Sequence, residues 1–202
     1  METKQSPVYR NSTIAGLLFF IAGAVILMGI ITAEIFYPPG YRTSNSEISD
    51  LGATRPPDSL IYQPSASIFN ATMISGGLLV LAASVFLFRD LKRRVILFPA
   101  VLGAGMLGVG LFPGNNPFFH PLFALVTFIA GGLSALVSFT MTGSPFRYVL
   151  AFLGLVTLIF LFFSSLFIPL LGDGGTERFV AYPVIIWAMG FGGYLIGKRA
   201  ET

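Results

Sequence analysis

The chain has no cysteine, one histidine and three lysines among its 202 residues. Without cysteine it cannot form disulfides, iron–sulfur clusters, thiolate zinc sites or cysteine nucleophiles. A membrane b-type haem takes a pair of axial ligands from histidine or methionine, and His120 is the only histidine, so haem is disfavoured. Retinal is disfavoured too, because Lys4, Lys92 and Lys198 all lie outside the apolar runs. Any cofactor stays unknown.

Charged residues are also scarce, because long apolar runs contain almost none. Only 10% of the residues are charged, and the mean hydropathy is +0.81. A helix crosses a hydrocarbon core of roughly 30 Å with about 20 apolar residues, and lipid allows no open strand edges. The predicted spans are 13–36, 68–88, 95–112, 122–141, 148–171 and 179–196. The sequence thus predicts an all-α, polytopic six-helix transmembrane bundle, with residues 1–202 forming one domain.

The basic residues predict how this bundle is oriented. Nine of the twelve fall in segments that share one side, namely Lys4, Arg10, Arg89, Lys92, Arg93, Arg94, Arg147, Lys198 and Arg199. The positive-inside rule then places both termini in the cytoplasm, as in a multi-pass protein of the cytoplasmic membrane. The net charge of +3 therefore reflects topology and predicts no nucleic-acid partner.

The connection between the first two spans, residues 37–67, is long in a chain whose other loops are short. Long ordered loops are often functional, so this one is a candidate lid over the outer face. Within it, Ser44 and Glu47 have the spacing of a capping box, and Gly52 follows as a stop signal. We expect a short helix here, on the outer membrane surface.

Two further patterns concern packing. Small residues recur at four-residue spacing, which lets helices approach closely either within the bundle or in a homo-oligomer. They are Ala100, Ala104 and Gly108, then Gly131 and Ala135, then Gly193 and Gly197. The predicted fifth span is instead rich in phenylalanine, so it is expected to face lipid or to wall a cavity.

The predicted spans hold no ionisable residue near mid-membrane, which disfavours an ion-coupled transporter. Glu34 lies near the outer end of the first span, so the polar candidates gather at the outer rim. Among them, His120 precedes Pro121, a residue favoured at the first helical position. We therefore expect His120 at the N-cap, where it either caps the helix or stays neutral as a general base or metal ligand. Asp50 or Glu34 would orient it, and no metal-ligand spacing motif is present.

Several short motifs resemble an archaeal and bacterial membrane family called domain of unknown function 998. They are Ile48-Ser49-Asp50-Leu51-Gly52, Phe69-Asn70, and Gly110-Leu111-Phe112-Pro113 followed by His120. The resemblance spans nearly the whole chain. It implies a six-helix integral membrane protein whose marked residues, Ser49, Asp50, Gly52, Asn70, Pro113 and His120, lie on the outer side, and it implies no activity.

Three functions remain open from the sequence. In the first, the outer face binds a lipid headgroup or small amphiphile, with arginines meeting a phosphate. The expected ligand-binding residues are Ser49, Asn70, Arg42, Arg55, Arg178 and Tyr182. In the second, an intramembrane enzyme acts on a lipid or lipid-linked substrate, with His120 as base and Asp50 or Glu34 as its partner. In the third, a hydroxyl-lined path lets a neutral solute cross.

Overall fold

The computed structural model describes residues 7–91 and 96–198, and no strand occurs in these two ranges. Their helices are α1 (Pro7–Ile35), α2 (Ser65–Leu91), α3 (Leu97–Leu111), α4 (Phe119–Ser138), α5 (Phe146–Phe162) and α6 (Ser164–Gly197). Four of them, α1, α2, α4 and α6, are long and apolar enough to cross a membrane. The helical membrane architecture is thus confirmed. At 15 and 17 residues, α3 and α5 measure about 23 and 26 Å, so their crossing stays a prediction.

The boundary between the fifth and sixth helices lies earlier in the chain than the predicted spans place it. Helix α5 ends at Phe162, and α6 starts at Ser164 within the predicted fifth span. Helix α6 is interrupted only at Gly172, whose φ of +75° and ψ of 171° leave the helical region. Glycine tolerates this conformation because it has no Cβ. Residues 173–178, which were expected in a loop, are therefore part of α6. Side chains from this part of the helix contact the first outer loop.

The six helices form a closed ring. Each packs against its neighbours in the chain, and α1 closes the ring against α6. Helix α4 also touches α6 directly, so α5 lies to the outside of that contact. The centre is packed with apolar side chains, including an aromatic cluster in which the Phe19 and Trp187 ring centroids lie 5.6 Å apart. The Trp187 Nε1 donates a hydrogen bond to Ser138 Oγ at 2.9 Å, which satisfies its buried polar atom.

Two of the three small-residue stripes serve packing inside this ring. A Cβ on Gly131 would lie 2.7 Å from a methyl carbon of Val184, and a Cβ on Gly108 would overlap the ring of Phe123. A side chain at either glycine would therefore have to displace a side chain of a neighbouring helix. Gly193 and Gly197 instead face open space. The homo-oligomer stays a prediction that only this last stripe supports.

The first outer loop packs into one end of the helix ring, where two of its apolar residues join the core. The expected capping box is wrong, because Ser44 Oγ bonds Asn45 Oδ1 and the loop forms only one 3-10 turn, Ser49–Leu51. Ile48 and Leu51 are buried in the core instead of lying on a membrane surface. The Ser65 hydroxyl at the start of α2 donates to the Leu51 carbonyl at 3.2 Å. The loop therefore covers one end of the bundle, and we call residues 41–52 of this loop the roof.

Candidate functional site

Beside this roof lies a cavity of about 490 Å³, bounded by the first outer loop, α4, α5 and α6. Ligand pockets in proteins commonly fall between about 300 and 1,000 Å³. Its polar lining residues are Glu47, Ser49, Arg55, His120, Ser164, Asp173, Thr176 and Glu177. Its apolar lining residues include Ala124, Phe128, Phe160, Leu161, Ile168 and Val180. We call this space the outer cavity.

The outer cavity adjoins a narrow crevice of about 80 Å³ at the centre of the ring. The two spaces share the lining residues Ser49, His120, Ala124, Phe128 and Glu177. Apart from its polar rim, the crevice is lined almost wholly by aliphatic and aromatic side chains from α1, α2, α3, α4 and α6. A space with a polar lining thus lies next to an apolar one, an arrangement that suits a molecule with one polar end.

The start of α4 differs from the prediction. The N-cap residue is Phe118, and Asn116 Oδ1 accepts hydrogen bonds from the backbone N–H groups of Phe118 and Phe119 at 3.2 and 2.9 Å. The expected N-cap position of His120 is therefore wrong. Asn116 takes the capping role in place of His120. It lies two residues before the N-cap residue Phe118, and its short amide side chain reaches the free N–H groups at the start of the helix. His120 is left to make a different bond.

His120 is buried, with 6% of its surface exposed, and its Nδ1 lies 2.8 Å from the Phe112 carbonyl oxygen. A carbonyl can only accept, so Nδ1 carries the hydrogen. In the neutral ring Nε2 is then an acceptor, and it has no hydrogen-bond partner within residues 7–91 and 96–198. This bond also explains why the motif ending in Phe112-Pro113 accompanies His120. The bond to Phe112 thus fixes the imidazole of His120, a residue that lines both spaces, and leaves its Nε2 as an acceptor without a partner in the described residues.

The three residues expected to form a catalytic group do not hydrogen-bond to one another. Asp50 Oδ2 accepts from the Glu47 backbone N–H at 2.9 Å, so it closes its own turn. Glu34 pairs with Arg178 at 2.7 Å on the other side of the loop. Neither carboxylate lines the outer cavity beside His120. In the described part of the chain, no group of three His, Asp or Glu side chains could hold a metal ion.

Arg178 fastens the first outer loop to α6. Its Nη1 lies 2.8 to 2.9 Å from the carbonyl oxygens of Thr43, Ser46 and Gly174. Its Nη2 donates to Glu34 Oε1 and to the Tyr41 hydroxyl, each at 2.7 Å. Arginine suits this position because its fork of donors can satisfy several oxygens at once. Both Nη atoms of Arg178 are thus engaged inside the protein, and Arg178 is not among the residues that line the outer cavity.

Two acidic residues complete the roof. The Glu177 carboxylate accepts a hydrogen bond from the Ile48 backbone N–H, one residue along α6 from Arg178. Glu47 forms a salt bridge with Arg55 and accepts a weaker bond from Ser49 Oγ at 3.3 Å. All four side chains that border the outer cavity here, from Glu47, Ser49, Arg55 and Glu177, are thus placed by bonds to the loop or within it.

Burial raises the pKa of both loop carboxyls, Glu47 and Asp50, against the opposing effect of the nearby Arg55 guanidinium. A carboxyl with a raised pKa holds its proton more tightly in the folded loop than in the unfolded chain. The contribution of these two groups to stability is therefore lost as pH rises from their ordinary pKa through the raised value. The packed loop is favoured at the acidic end of this interval.

Three other predicted ligand residues lie away from the outer cavity. Arg42 is exposed, Tyr182 packs against the core, and Asn70 sits behind the loop with a buried Oδ1 that has no partner. A Cβ on Gly52 would lie 2.6 Å from this Oδ1. The Gly52 and Asn70 motifs are therefore neighbours in space, and the pair lets the loop approach α2.

The predicted site residues omit several that line the outer cavity, chiefly Glu47, Asp173, Glu177, Phe128 and Phe160. The sequence places Asp173 and Glu177 at the outer rim without assigning them to the site, although one signal was available. Asp173 and Glu177 stand four residues apart, which places them on one face if that segment is helical. The phenylalanine-rich fifth span was expected to face lipid or wall a cavity, and Phe160 does line the outer cavity while Phe162 is 62% exposed.

Comparison with known proteins agrees with the motifs. The model of a family described as "Protein of unknown function (DUF998)" matches residues 21–193. Neither the curated proteins nor the solved structures give a match. The matched range contains all six marked residues and every residue that lines the outer cavity. Because the match covers most of the chain, the protein belongs to the DUF998 family of proteins of unknown function.

Proposed function

We propose that this protein spans the cytoplasmic membrane six times, with both termini in the cytoplasm, and binds an amphiphile on its outer side. The headgroup occupies the outer cavity, and the hydrocarbon chain lies along the phenylalanine wall or enters the central crevice. The observation that carries this proposal is that the two spaces adjoin and share the lining residues Ser49, His120, Ala124, Phe128 and Glu177. A purely polar solute would gain nothing from the apolar side of this junction.

Membrane lipids are the natural source of such a ligand. The lining from Phe160, Leu161 and Ile168 belongs to α5 and the start of α6, at the periphery of the ring. Neighbouring side chains such as Phe162 and Leu166 are more than 60% exposed. In a bilayer these surfaces face acyl chains, so a lipid can enter sideways without crossing water.

We expect Ala124→Trp to block the junction between the two spaces, since Ala124 borders both. Amphiphile retained through purification should fall about tenfold, which corresponds to about 1.4 kcal/mol of binding free energy. The matched control is Ala71→Trp, which adds the same indole to an exposed position on α2. Lipid extraction and mass spectrometry measure the retained species. Equal retention by both variants and the unmodified protein, with only bulk lipid present, contradicts the proposal.

An enzyme acting on the same ligand is the second candidate, and it rests on one observation. The bond from His120 Nδ1 to Phe112 leaves Nε2 as an acceptor beside the cavity, the state that a general base requires. The orienting group is then the Phe112 carbonyl in place of Asp50 or Glu34. Conversion of extracted lipid by the protein in nanodiscs, lost in His120→Asn, is the result that supports it.

A facilitator for neutral solutes has less support. Several hydroxyls in the spans bond backbone carbonyls of their own helix, as Thr127 does to Phe123 and Ser134 does to Ala130, at 2.7 and 2.6 Å. The central crevice is apolar over most of its length. No observation in the described residues favours this alternative.

A further inference from the structure

We infer that the headgroup bound in the outer cavity is a hydrogen-donating cation, a primary ammonium, and not a phosphate. This inference rests on the proposed amphiphile binding and specifies its ligand. It reverses the expectation that arginines at the outer rim meet an anionic headgroup. The reasons are the charges of the lining, the engagement of the arginines and the acceptor on His120.

The lining of the outer cavity carries an excess of acidic groups. Three of its residues have carboxyl groups, Glu47, Asp173 and Glu177, and one, Arg55, carries a positive charge. Arg55 is already joined to Glu47 in a salt bridge, so this pair adds little net charge. Asp173 takes part in no salt bridge within the described residues, so its carboxylate repels an anion and attracts a cation. The Glu177 carboxyl adds oxygen atoms that can accept a hydrogen bond from a donor group.

The arginines expected to bind phosphate are engaged or remote. The hydrogen bonds of Arg178 hold Glu34, Tyr41 and the loop carbonyls. Arg42 is exposed on the loop and does not line the cavity. A phosphate would have to displace Glu47 from Arg55, which replaces one charged pair by another and leaves the half-buried Glu47 carboxylate unpaired.

His120 supplies an independent reason. Its side chain is more than nine-tenths buried, and Nε2 has no partner within the described ranges. The Nε2 atom itself keeps accessible surface, since the buried polar atoms without a partner in the described residues belong to Asn70, Arg147 and Arg178. An open acceptor of this kind favours a ligand that brings an N–H or O–H group. Dianionic phosphate has only acceptor oxygens. A primary ammonium has three donors, enough for Nε2 and for the carboxylates of Glu177 and Asp173.

Three probes with one twelve-carbon chain test this inference: dodecylammonium, dodecyl phosphate and dodecylglycerol. The full chain is placed in phosphatidylcholine nanodiscs, and native mass spectrometry counts the bound probe, with Ala124→Trp defining the background from the bilayer. We expect dodecylammonium to bind at least about fivefold more tightly than either other probe.

Charge-removing variants then locate the selectivity. Glu177→Gln keeps an acceptor for the Ile48 N–H, and Asp173→Asn changes an exposed side chain, so neither should disturb folding. Each should weaken dodecylammonium binding about threefold to tenfold and leave dodecylglycerol unchanged. Asp58→Asn removes an exposed carboxylate of the first outer loop that does not line the cavity, so it is the control and should change nothing.

His120→Asn tests the acceptor separately. Asparagine Nδ2 can still donate to the Phe112 carbonyl, but the acceptor at Nε2 is gone, so both donor-bearing probes should bind more weakly. Equal or tighter binding of dodecyl phosphate or dodecylglycerol by the unmodified protein overturns the ammonium assignment while amphiphile binding stands. If none of the probes binds above the Ala124→Trp background, the proposed function itself fails.

Discussion

Replacing Arg178 by methionine is expected to destabilise the protein by about 3–5 kcal/mol and to release the first outer loop, because it strips a buried ion pair of one partner. The loop loses the donors that hold the Thr43 and Ser46 carbonyls, and Glu34 loses its 2.7 Å partner. Methionine keeps much of the apolar stem, so the change reports on the guanidinium. Thermal unfolding in detergent measures stability, and hydrogen exchange of residues 41–52 measures loop release.

Two comparisons sharpen this experiment. Arg42→Met removes an exposed arginine from the same loop and should shift unfolding by less than about 0.5 kcal/mol. Arg178→Lys keeps the charge beside Glu34 but cannot reach the separate carbonyl oxygens, so it should fall between the two. Equal stability of the Arg178→Met and Arg42→Met proteins contradicts the conclusion that the hydrogen bonds of Arg178 hold the loop against α6.

The second large effect is expected at Gly172, where α6 breaks. Alanine at a φ of +75° and a ψ of 171° costs about 1–3 kcal/mol, because this region is open essentially only to glycine. Its Cβ would also overlap the Ser44 carbonyl oxygen, which adds about 1–3 kcal/mol. Gly172→Ala should therefore destabilise the packed loop by about 2–6 kcal/mol, measured as above.

The control lies on the same helix. A Cβ on Gly193 meets nothing within 4 Å, and its backbone is helical, so Gly193→Ala should be neutral or stabilising by up to about 1 kcal/mol. If both alanine variants unfold at the same temperature, the break at Gly172 does not position the loop as described.

The apolar runs made much of the fold predictable. Every predicted span overlaps a helix, and the polar side chains that line the cavity gather at one end of the bundle, because lipid leaves few places for charge. Family membership was also predictable, because the motifs around Gly52, Asn70 and His120 can be read directly from the sequence. In the structure, Gly52 lies against Asn70, and His120 bonds Phe112.

The partners of individual side chains were not predictable in the same way. Glu34 and Arg178 are 144 positions apart, and nothing in the sequence links them except that each is a charged residue near an end of a predicted span. His120 was placed at an N-cap because Pro121 follows it, whereas Asn116 competed better for the free N–H groups. The break of α6 depends on one glycine among the chain's 23, so sequence alone did not single it out.

The central claim is that the outer cavity, and not the general lipid surface, holds the amphiphile. A photoreactive benzoyl-phenylalanine at Phe128, which borders both spaces, tests it in native membranes against the same group at Phe162, which is 62% exposed. We predict one discrete amine-bearing adduct at position 128 and a mixture of bulk phospholipids at position 162. The same mixture of bulk lipids at both positions would contradict the account.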